Sequence, residues 1–316
     1  MAILVTGCAG FIGSHVTDRL LGSGVQVIGI DNKDSFYDPS IKQKNIEHNL
    51  QNPDFRFEQV DIRDSDALDV IFKDSTIDTV IHLAARAGVR PSIKDPLLYE
   101  DVNIKGTLNL LEMAKTHGIK NFIFGSSSSV YGANEKVPFN EKDNVDQAIS
   151  PYAASKKACE TFCYTYHHLY DIPVVCLRFF TVYGPRQRPE MAIHKFTRLI
   201  DEGREIEMYG DGTSKRDYTY IDDIVSGIVA AMQTKQGYEI INLGNSNVVE
   251  LRYLIQLIEQ NLGKEARIQT LPDQPGDVPI TYADISKARA LLNYAPTTNI
   301  EQGIENFVQW YKGERN

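Results

Sequence analysis

The run Val5-Thr6-Gly7-Cys8-Ala9-Gly10-Phe11-Ile12-Gly13 is the clearest indication of the fold of this 316-residue chain. An apolar run at residues 2–6 predicts a strand that leads into it, and a helical pattern at residues 12–21 follows. The glycines, spaced GxxGxxG, permit a tight turn, and the N–H groups of a helix N-terminus bind phosphate. The sequence therefore predicts a dinucleotide-binding turn whose contacts are Gly7, Gly10, Phe11, Ile12 and Gly13.

An acidic residue ends the second predicted strand, at residues 25–30, and it indicates which dinucleotide is bound. The Asp31 carboxylate is placed to accept hydrogen bonds from both ribose hydroxyls and to repel a 2′-phosphate, which favours NAD over NADP. The nearby Lys33 argues weakly the other way. Asn32 is predicted to contact the cofactor too. The alternative, a glycine-rich turn with an exposed capping Asp31, does not explain why strand, turn, helix, strand and acid occur in register.

Residues that follow the third and fourth predicted strands, at 55–60 and 79–83, extend the cofactor site. Asp61 and Ile62 are placed to bracket an adenine. The small-residue run Leu83-Ala84-Ala85 offers a shelf for the nicotinamide. On the following helix Asn103 is a further candidate contact, although a buried Asn can equally cap a neighbouring turn.

Strands alternate with helical patterns through the first two-thirds of the chain, which predicts an α/β fold with a Rossmann-type, doubly wound parallel sheet. Further strands are predicted at 121–124 and 174–177, and helices at 67–72, 99–117 and 152–169. After Gly184 a basic, proline-bounded loop is followed by a second set of elements. Their predicted helices are 194–202, 222–233, 251–262, 285–292 and 300–311, and their predicted strands are 205–208 and 240–243. We therefore expect an NAD-binding domain at residues 1–184 and a smaller α/β substrate lobe, mainly residues 185–316, with some late segments returning to the first domain.

The composition argues against several classes of partner. A formal net charge of -9 disfavours nucleic acid and anionic membrane surfaces. No stretch approaches the ~20 apolar residues of a membrane span. The four cysteines suit a reducing compartment, and a strand directly after Met1 leaves no room for a signal peptide, so a cytoplasmic protein is expected. The cysteine spacing does not predict a metal site.

The run Ser-Pro-Tyr-Ala-Ala-Ser-Lys places Tyr152 four residues before Lys156, one helical turn away on the same face. An ammonium held beside a phenol favours the phenolate. Tyr152 is therefore a candidate acid and base for a sugar or alcohol hydroxyl. Alone this pair is a weak signal, but it follows a dinucleotide motif and a serine run.

Together these motifs resemble the extended short-chain dehydrogenase/reductases, and within them the nucleotide-sugar epimerases. The resemblance covers essentially the whole chain. It is carried by the glycine motif, Asp31, Asp61-Ile62, residues 82–85, the serine run 126–129 before Val130-Tyr131-Gly132, the Tyr152/Lys156 pair, residues 178–185 and Arg216-Asp217-Tyr218.

The resemblance implies roles for individual residues. Ser127 would hydrogen-bond the sugar O4 or the Tyr152 oxygen, Tyr152 would shuttle the proton, and Lys156 would hold the nicotinamide ribose. Arg216 matches an arginine that grips the nucleotide diphosphate, as a planar guanidinium suits phosphate oxygens. Many relatives carry a second such arginine before a Gly-Asp pair. Here Gln274 precedes Gly276-Asp277, which leaves that contact open and Asp277 as a candidate.

The serine run distinguishes between reactions. Related dehydratases carry Asp and Glu before Val-Tyr-Gly, and nucleotide-glucuronate decarboxylases carry Glu, whereas this chain has Ser128 and Ser129. Serine hydroxyls cannot readily replace a carboxylate in acid–base chemistry near neutral pH. Epimerisation at C4 through a transient 4-keto sugar, with NAD regenerated every cycle, needs neither acid and is therefore favoured.

Two loops resemble those of the UDP-glucuronate 4-epimerases, His82–Arg90 and the run Tyr183-Gly-Pro-Arg-Gln-Arg-Pro-Glu-Met-Ala. A C6 carboxylate needs hydrogen-bond donors, and Ser128, Ser129, Thr181, Arg188 and Arg90 are the candidates. The resemblance thus implies conversion of UDP-glucuronate to UDP-galacturonate. A UDP-glucose/UDP-galactose 4-epimerase is the alternative, with the arginines then serving as solvated loop charges or other phosphate contacts.

Two further expectations concern catalysis and assembly. Some proteins of this fold bind NAD without catalysis, but they tend to lack the Tyr/Lys pair that this chain keeps. Relatives pair long helices across a two-fold axis, so residues 99–117 and 152–169 predict a homodimer through a four-helix bundle, although inward core packing would explain the same pattern.

Overall fold

A seven-stranded parallel sheet forms the centre of the molecule in a computed structural model that describes residues 2–234, 237–272 and 278–315. Its strand order is β11-β6-β5-β4-β1-β2-β3. The sheet strands are β1 (Ala2–Thr6), β2 (Gln26–Ile30), β3 (Phe55–Glu58), β4 (Ile77–His82), β5 (Asn121–Ser127), β6 (Val174–Phe179) and β11 (Tyr238–Leu243). The predicted doubly wound parallel sheet is confirmed.

Twelve helices within the described residues cover both faces of this sheet or pack around the smaller strand pairs. They are α1 (Phe11–Leu21), α2 (Pro39–Glu47), α3 (Ser65–Lys73), α4 (Val89–Lys94), α5 (Pro96–Tyr99), α6 (Gly106–His117), α7 (Pro151–Tyr170), α8 (Ala192–Asp201), α9 (Ile221–Ala231), α10 (Leu251–Leu262), α11 (Ser286–Leu292) and α12 (Ile300–Arg315). Successive strand residues enter different apolar clusters: Ile3 and Val5 belong to one, and Leu4 lies in the other. This alternation is what a sheet buried on both faces requires.

The smaller strands pair in twos beside the main sheet. They are β7 (Thr181–Tyr183) with β10 (Tyr218–Tyr220), β8 (Glu205–Tyr209) with β13 (Arg267–Leu271), and β9 (Lys215–Arg216) with β12 (Val249–Glu250). The strand predicted at 240–243 forms, but it pairs with β6 at the edge of the main sheet and not within a separate lobe. Helix α9 likewise packs against α1. Late segments thus return to the first half, and the division at residue 184 stays a prediction.

Several predicted elements differ from the observed ones at their ends, and two of these differences bear on the site. Strand β5 continues beyond Phe124 to Ser127, and its last residues are buried although polar. The helix predicted at 99–117 is interrupted: α5 leads into a π-helical segment, Glu100–Lys105, before α6 begins. One extra residue per turn shifts the helical phase there, which a periodic pattern of apolar residues does not reveal.

The topology fixes where ligands bind. Strand β1 lies between β4 and β2. From β1 the strands β2 and β3 follow towards one edge of the sheet, and β4, β5 and β6 follow towards the other. Ligands of open α/β sheets bind beyond the carboxyl ends of the strands at such a reversal. Within the described residues, no helix combines the length and the apolar character that crossing a membrane requires.

Candidate active site

A cavity of about 400 Å³ opens at the carboxyl ends of the sheet strands. It brings together most of the residues that the sequence predicted for the site. The predicted residues that line it are Gly7, Gly10, Phe11, Ile12, Gly13, Asp31, Asn32, Asp61, Ile62, Leu83, Ala84, Ala85, Ser127, Ser128, Ser129, Tyr152, Lys156, Thr181 and Arg188.

The glycine turn is so tight that side chains would collide with the main chain. Gly7 has φ +73°, and its N–H donates to the carbonyl oxygen of Ile30 across 2.7 Å. A Cβ atom on Gly13 would lie 2.0 Å from the Gly7 oxygen. The first turn of α1 therefore packs directly on the end of β1, which leaves its N–H groups facing the cavity for a phosphate.

The Asp31 carboxylate is held at the edge of this turn. One oxygen accepts from the Ala9 N–H at 3.2 Å and the other from the Lys33 N–H at 2.7 Å. The Lys42 ammonium, which the sequence analysis did not single out, lies 3.8 Å from the same group. Asp31 is buried and fixed in direction, as a residue that selects a ribose must be.

A second acid lies beside the first, at the end of β3. Asn32 donates from Nδ2 to the Asp61 carboxylate at 2.8 Å, which links the segments after β2 and β3. Hydrogen bonds from Arg63 lower the pKa of Asp61 to about 2. Asp61 is therefore an anion at every pH at which the protein would work.

The shelf of small residues after β4 rests on a buried histidine. His82 bonds through Nδ1 to the Thr6 hydroxyl at 2.8 Å and through Nε2 to the Thr107 hydroxyl at 3.0 Å. Thr107 donates its own proton to the Asn103 carbonyl, and Thr6 accepts from the Ala84 N–H. Because Thr107 has given its proton to a carbonyl, it must accept from Nε2, so Nε2 carries a proton. Burial lowers the pKa of His82 to about 3.

Asn103 lies behind the cavity wall and not on it. Its side chain accepts from the Arg86 N–H at 2.7 Å and donates to the Arg86 carbonyl and to the Ser155 hydroxyl. The structure thus places Asn103 as the tether between the segment after β4 and α7, which is the capping alternative weighed from the sequence.

Three polar side chains line the cavity where α7 packs against β5. Tyr152 lies in the first turn of α7. Ser150 caps this helix, since its hydroxyl oxygen accepts a hydrogen bond from the Ala153 N–H. Lys156, one turn on, donates to the Gly125 carbonyl at 2.7 Å. Ser127 ends β5 and caps a short 3₁₀ helix, Ser128–Tyr131, by accepting from the Ser129 N–H. The phenol, the ammonium and the hydroxyl predicted for catalysis therefore share one wall.

Behind this wall lies a buried ion pair that the sequence analysis missed. Arg178 on β6 donates two hydrogen bonds of 2.8 Å to the Glu160 carboxylate on α7, and Ser126 donates a third of 2.7 Å. The signal was available: Glu160 follows Lys156 by one helical turn, between buried Cys159 and Cys163, and a charge there needs a partner.

The three arginines predicted for the substrate lie in different places. Arg188 lines the cavity. Arg90 stacks on the Tyr209 ring, 4.4 Å from its centroid, and Arg216 donates to the Lys215 carbonyl; neither lines the cavity. Asp277 lies outside the described residues, as do Gln274 and Gly276.

The segment between β2 and α2 supplies cavity residues that no motif indicated. Asp34, Phe36 and Tyr37 all line it, together with Arg86 from the opposite side. Asp34 forms an ion pair with Arg86, whose guanidinium also lies over the Phe36 ring at 4.6 Å. This segment has neither helical nor strand periodicity, which is why pattern analysis passed over it.

Comparison with known proteins agrees with this geometry. Residues 4–307 match the model of the GDP-mannose 4,6-dehydratase family. The chain is 47% identical over 310 residues to the UDP-glucuronate 4-epimerase of Thermodesulfobacterium geofontis, which covers 98% of this chain and 95% of that protein.

Solved structures are equally similar. The UDP-glucuronic acid 4-epimerase of Bacillus cereus, in complex with UDP-glucuronic acid and NAD, has a TM-score of 0.93 at 42% identity and covers 99% of this chain and 100% of its own. The UDP-glucose 4-epimerase of Thermotoga maritima, with UDP-glucose, has a TM-score of 0.92 at 34% identity, with 100% of both chains covered. The chain therefore belongs to the GDP-mannose 4,6-dehydratase family, and it is an extended short-chain dehydrogenase/reductase of the nucleotide-sugar epimerase type.

Proposed function

We propose that this chain is an NAD-dependent 4-epimerase that interconverts UDP-glucuronate and UDP-galacturonate. The single observation that carries this function is the set of acids in the cavity. Among the described lining residues the carboxylates are Asp31, Asp34 and Asp61, all of which follow β2 or β3. Around Tyr152 the wall offers serine hydroxyls instead, so it can move a proton at O4 but lacks the acid that eliminates water or assists decarboxylation.

The residues present fit NAD. The glycine turn leads into a helix N-terminus and is so tight that a Cβ on Gly13 would block it, and this arrangement suits a pyrophosphate. The buried Asp31 suits a ribose with two free hydroxyls. When bound, NAD supplies a reversible acceptor for the hydride of the sugar C4. Its nicotinamide would lie on the shelf of Leu83, Ala84 and Ala85, near Lys156.

The protein groups supply the proton transfer. Tyr152 removes the O4 proton as the hydride leaves C4, and it returns the proton when the hydride comes back. Lys156 would hold the nicotinamide ribose, and Ser127 orients O4. Between the two transfers the 4-keto sugar turns about its diphosphate tether and presents its other face.

Recognition of the acid group falls to Arg188 in this proposal. Arg188 lines the cavity together with Ser128, Ser129 and Thr181, whereas Arg90 does not. Oxidation at C4 produces a β-keto acid, which loses carbon dioxide easily. Donors that fix the direction of the carboxylate restrain that loss, which gives the hydroxyl groups and Arg188 a chemical purpose in this pocket.

Assembly and location are part of the proposal. A homodimer through α6 and α7 is supported by exposed apolar side chains on α7, among them Tyr164 at 51% and Leu169 at 59% exposure. A cytoplasmic location is supported by four cysteines that are all free, buried thiols.

The test is to incubate the purified protein with UDP-glucuronate and, separately, with UDP-glucose, and to follow each by proton NMR without added NAD. The proposal predicts conversion of the uronate alone, with no pentose product. Conversion of UDP-glucose alone would show that Arg188 has been over-interpreted, while the roles of Tyr152, Lys156 and Ser127 would stand. Pentose formation would contradict the inference drawn from Ser128 and Ser129.

A further inference from the structure

We propose that Phe36 is a positioning residue that presents Arg188 to the acid group of the substrate, so that specificity for a uronate depends on the segment that follows the ribose-binding acid. This inference rests on the proposed function and deepens it. It assigns a role to a residue in a segment without a recognisable motif.

The Phe36 ring is in contact with two guanidinium groups. Arg86 is 4.6 Å from the ring centroid and Arg188 is 5.7 Å from it, and all three side chains line the same cavity. Guanidinium groups within about 6 Å of an aromatic ring are attracted to its face. The ring therefore bridges an arginine that follows β4 and an arginine from the loop after Gly184.

The main chain around Arg188 is anchored independently of Phe36. His15 bonds to the Pro185 carbonyl at 3.0 Å, Arg186 pairs with Asp18 at 2.7 Å, and the buried Gln187 side chain donates to the Val182 carbonyl. These bonds fix the loop but not the long side chain of Arg188. The direction of its guanidinium is left to the groups that touch it.

Phe36 is itself held in place from the cofactor side. Its N–H donates to the Asp34 carboxylate at 2.8 Å, and the Asp34 N–H donates to Asn32 at 2.9 Å. Asp34 also pairs with Arg86. The ring is thus tied to the turn that carries Asp31, and it gives Arg188 a fixed surface to rest on.

The edge of the Arg188 guanidinium is paired with an exposed carboxylate, which the carboxylate of a substrate can replace. Glu190, 42% exposed, is its carboxylate partner, with 3.3 Å between Nη1 and Oε1. A carboxylate approaches the edge of a guanidinium, whereas the aromatic ring covers its face, so the two contacts do not compete. A substrate carboxylate therefore replaces Glu190 while the contact with Phe36 persists.

The test compares Phe36→Leu, which keeps an apolar side chain but removes the aromatic face, with the conservative Phe36→Tyr. Calorimetry gives Kd for UDP-glucuronate, and UDP-glucose is the matched ligand, since it differs only in lacking the acid group at C6. We expect Phe36→Leu to raise Kd for UDP-glucuronate by about two- to fivefold, the range that a cation–π contact supplies, and to leave Kd for UDP-glucose unchanged. Tyr should restore wild-type binding. In an Arg188→Ala background the Leu substitution should add nothing.

The inference is overturned if Phe36→Leu changes Kd equally for both ligands, or changes Kd for neither. It is also overturned if the effect of Phe36→Leu on Kd persists in the Arg188→Ala background. Thermal unfolding of each variant checks that the fold is retained. Because the readout is binding, it is separate from the proposed function, which wild-type turnover of UDP-glucuronate decides. A wild type that binds UDP-glucuronate without converting it contradicts the proposed epimerase while the Phe36 comparison still decides this inference.

Discussion

Lys156 donates from Nζ to the main-chain carbonyl of Gly125 across 2.7 Å, and this bond joins α7 to β5 beside the cavity. Its ammonium also lies over the Phe124 ring, 4.9 Å from the centroid. This bond fixes the direction of the side chain, one helical turn from Tyr152. The position proposed for the nicotinamide ribose is therefore held by contacts within the protein itself.

Gly13→Ala should abolish tight cofactor binding. The new Cβ would lie 2.0 Å from the Gly7 oxygen and 2.7 Å from its carbonyl carbon, both main-chain atoms that cannot move without opening the turn. We expect purified Gly13→Ala protein to contain little NAD by absorbance after denaturation. Gly313→Ala is the matched control, because its Cβ would meet no atom within 4 Å. Equal NAD content in the two variants would contradict the proposed cradle.

Glu160→Gln should destabilise the protein strongly. Arg178 would lose its carboxylate while remaining 1% exposed, and its Nη1 atom already lacks a hydrogen-bond partner among the described residues. Removing one member of a buried ion pair costs about 3 to 5 kcal/mol, measurable by urea unfolding. Glu314→Gln is the control: it breaks the exposed ion pair with Lys44 and should leave the midpoint of urea unfolding unchanged. Similar midpoints for the two variants would show that the buried pair does not matter to stability.

Native stability should fall as the pH falls from about 6.5 towards 3, in part because of His82. Burial lowers the pKa of His82 to about 3, whereas an unfolded histidine titrates near 6.5, so the unfolded state binds one proton more within this window. The contribution of this residue to the change in the free energy of unfolding approaches about 1.4 kcal/mol per pH unit. Urea unfolding at several pH values should show a smaller slope for His82→Gln; an unchanged slope would refute the assignment.

Glu190→Gln should tighten binding of UDP-glucuronate and leave binding of UDP-glucose unchanged. The substitution removes the carboxylate that pairs with Arg188 and so competes with the acid group of the substrate. Exposed ion pairs are weak, so a decrease of about twofold in Kd is expected by calorimetry. Glu265→Gln, an exposed residue, controls for the change in net charge. Weaker uronate binding would mean that Glu190 supports Arg188 instead of competing with it.

Sequence reasoning succeeded where a pattern has a simple physical cause. The strand at 2–6 and the helix at 251–262 have the predicted bounds because both are apolar patterns with clear ends. The tight glycine turn at residues 7–13 was predictable because glycine spacing, strand and helix occur together. The Tyr152/Lys156 pair was predictable because one helical turn places both on the same face.

The remainder depended on tertiary contacts. The π-helical segment at Glu100–Lys105 inserts a residue that periodicity cannot show. Phe36 reaches the cavity through a segment held by side-chain hydrogen bonds, and Arg90 faces Tyr209, a residue more than a hundred positions away in the chain. Which of several arginines lines a cavity is set by packing between distant segments, and a single sequence does not encode that in any local pattern.

The most direct test of the central claim is to supply UDP-glucuronate deuterated at C4 in ordinary water and to follow the label by NMR. Epimerisation through a 4-keto intermediate predicts UDP-galacturonate that retains deuterium at C4, because the hydride removed there returns to the same carbon within one turnover. Loss of the label to solvent, or a pentose product in place of the uronate, would contradict the proposed epimerisation.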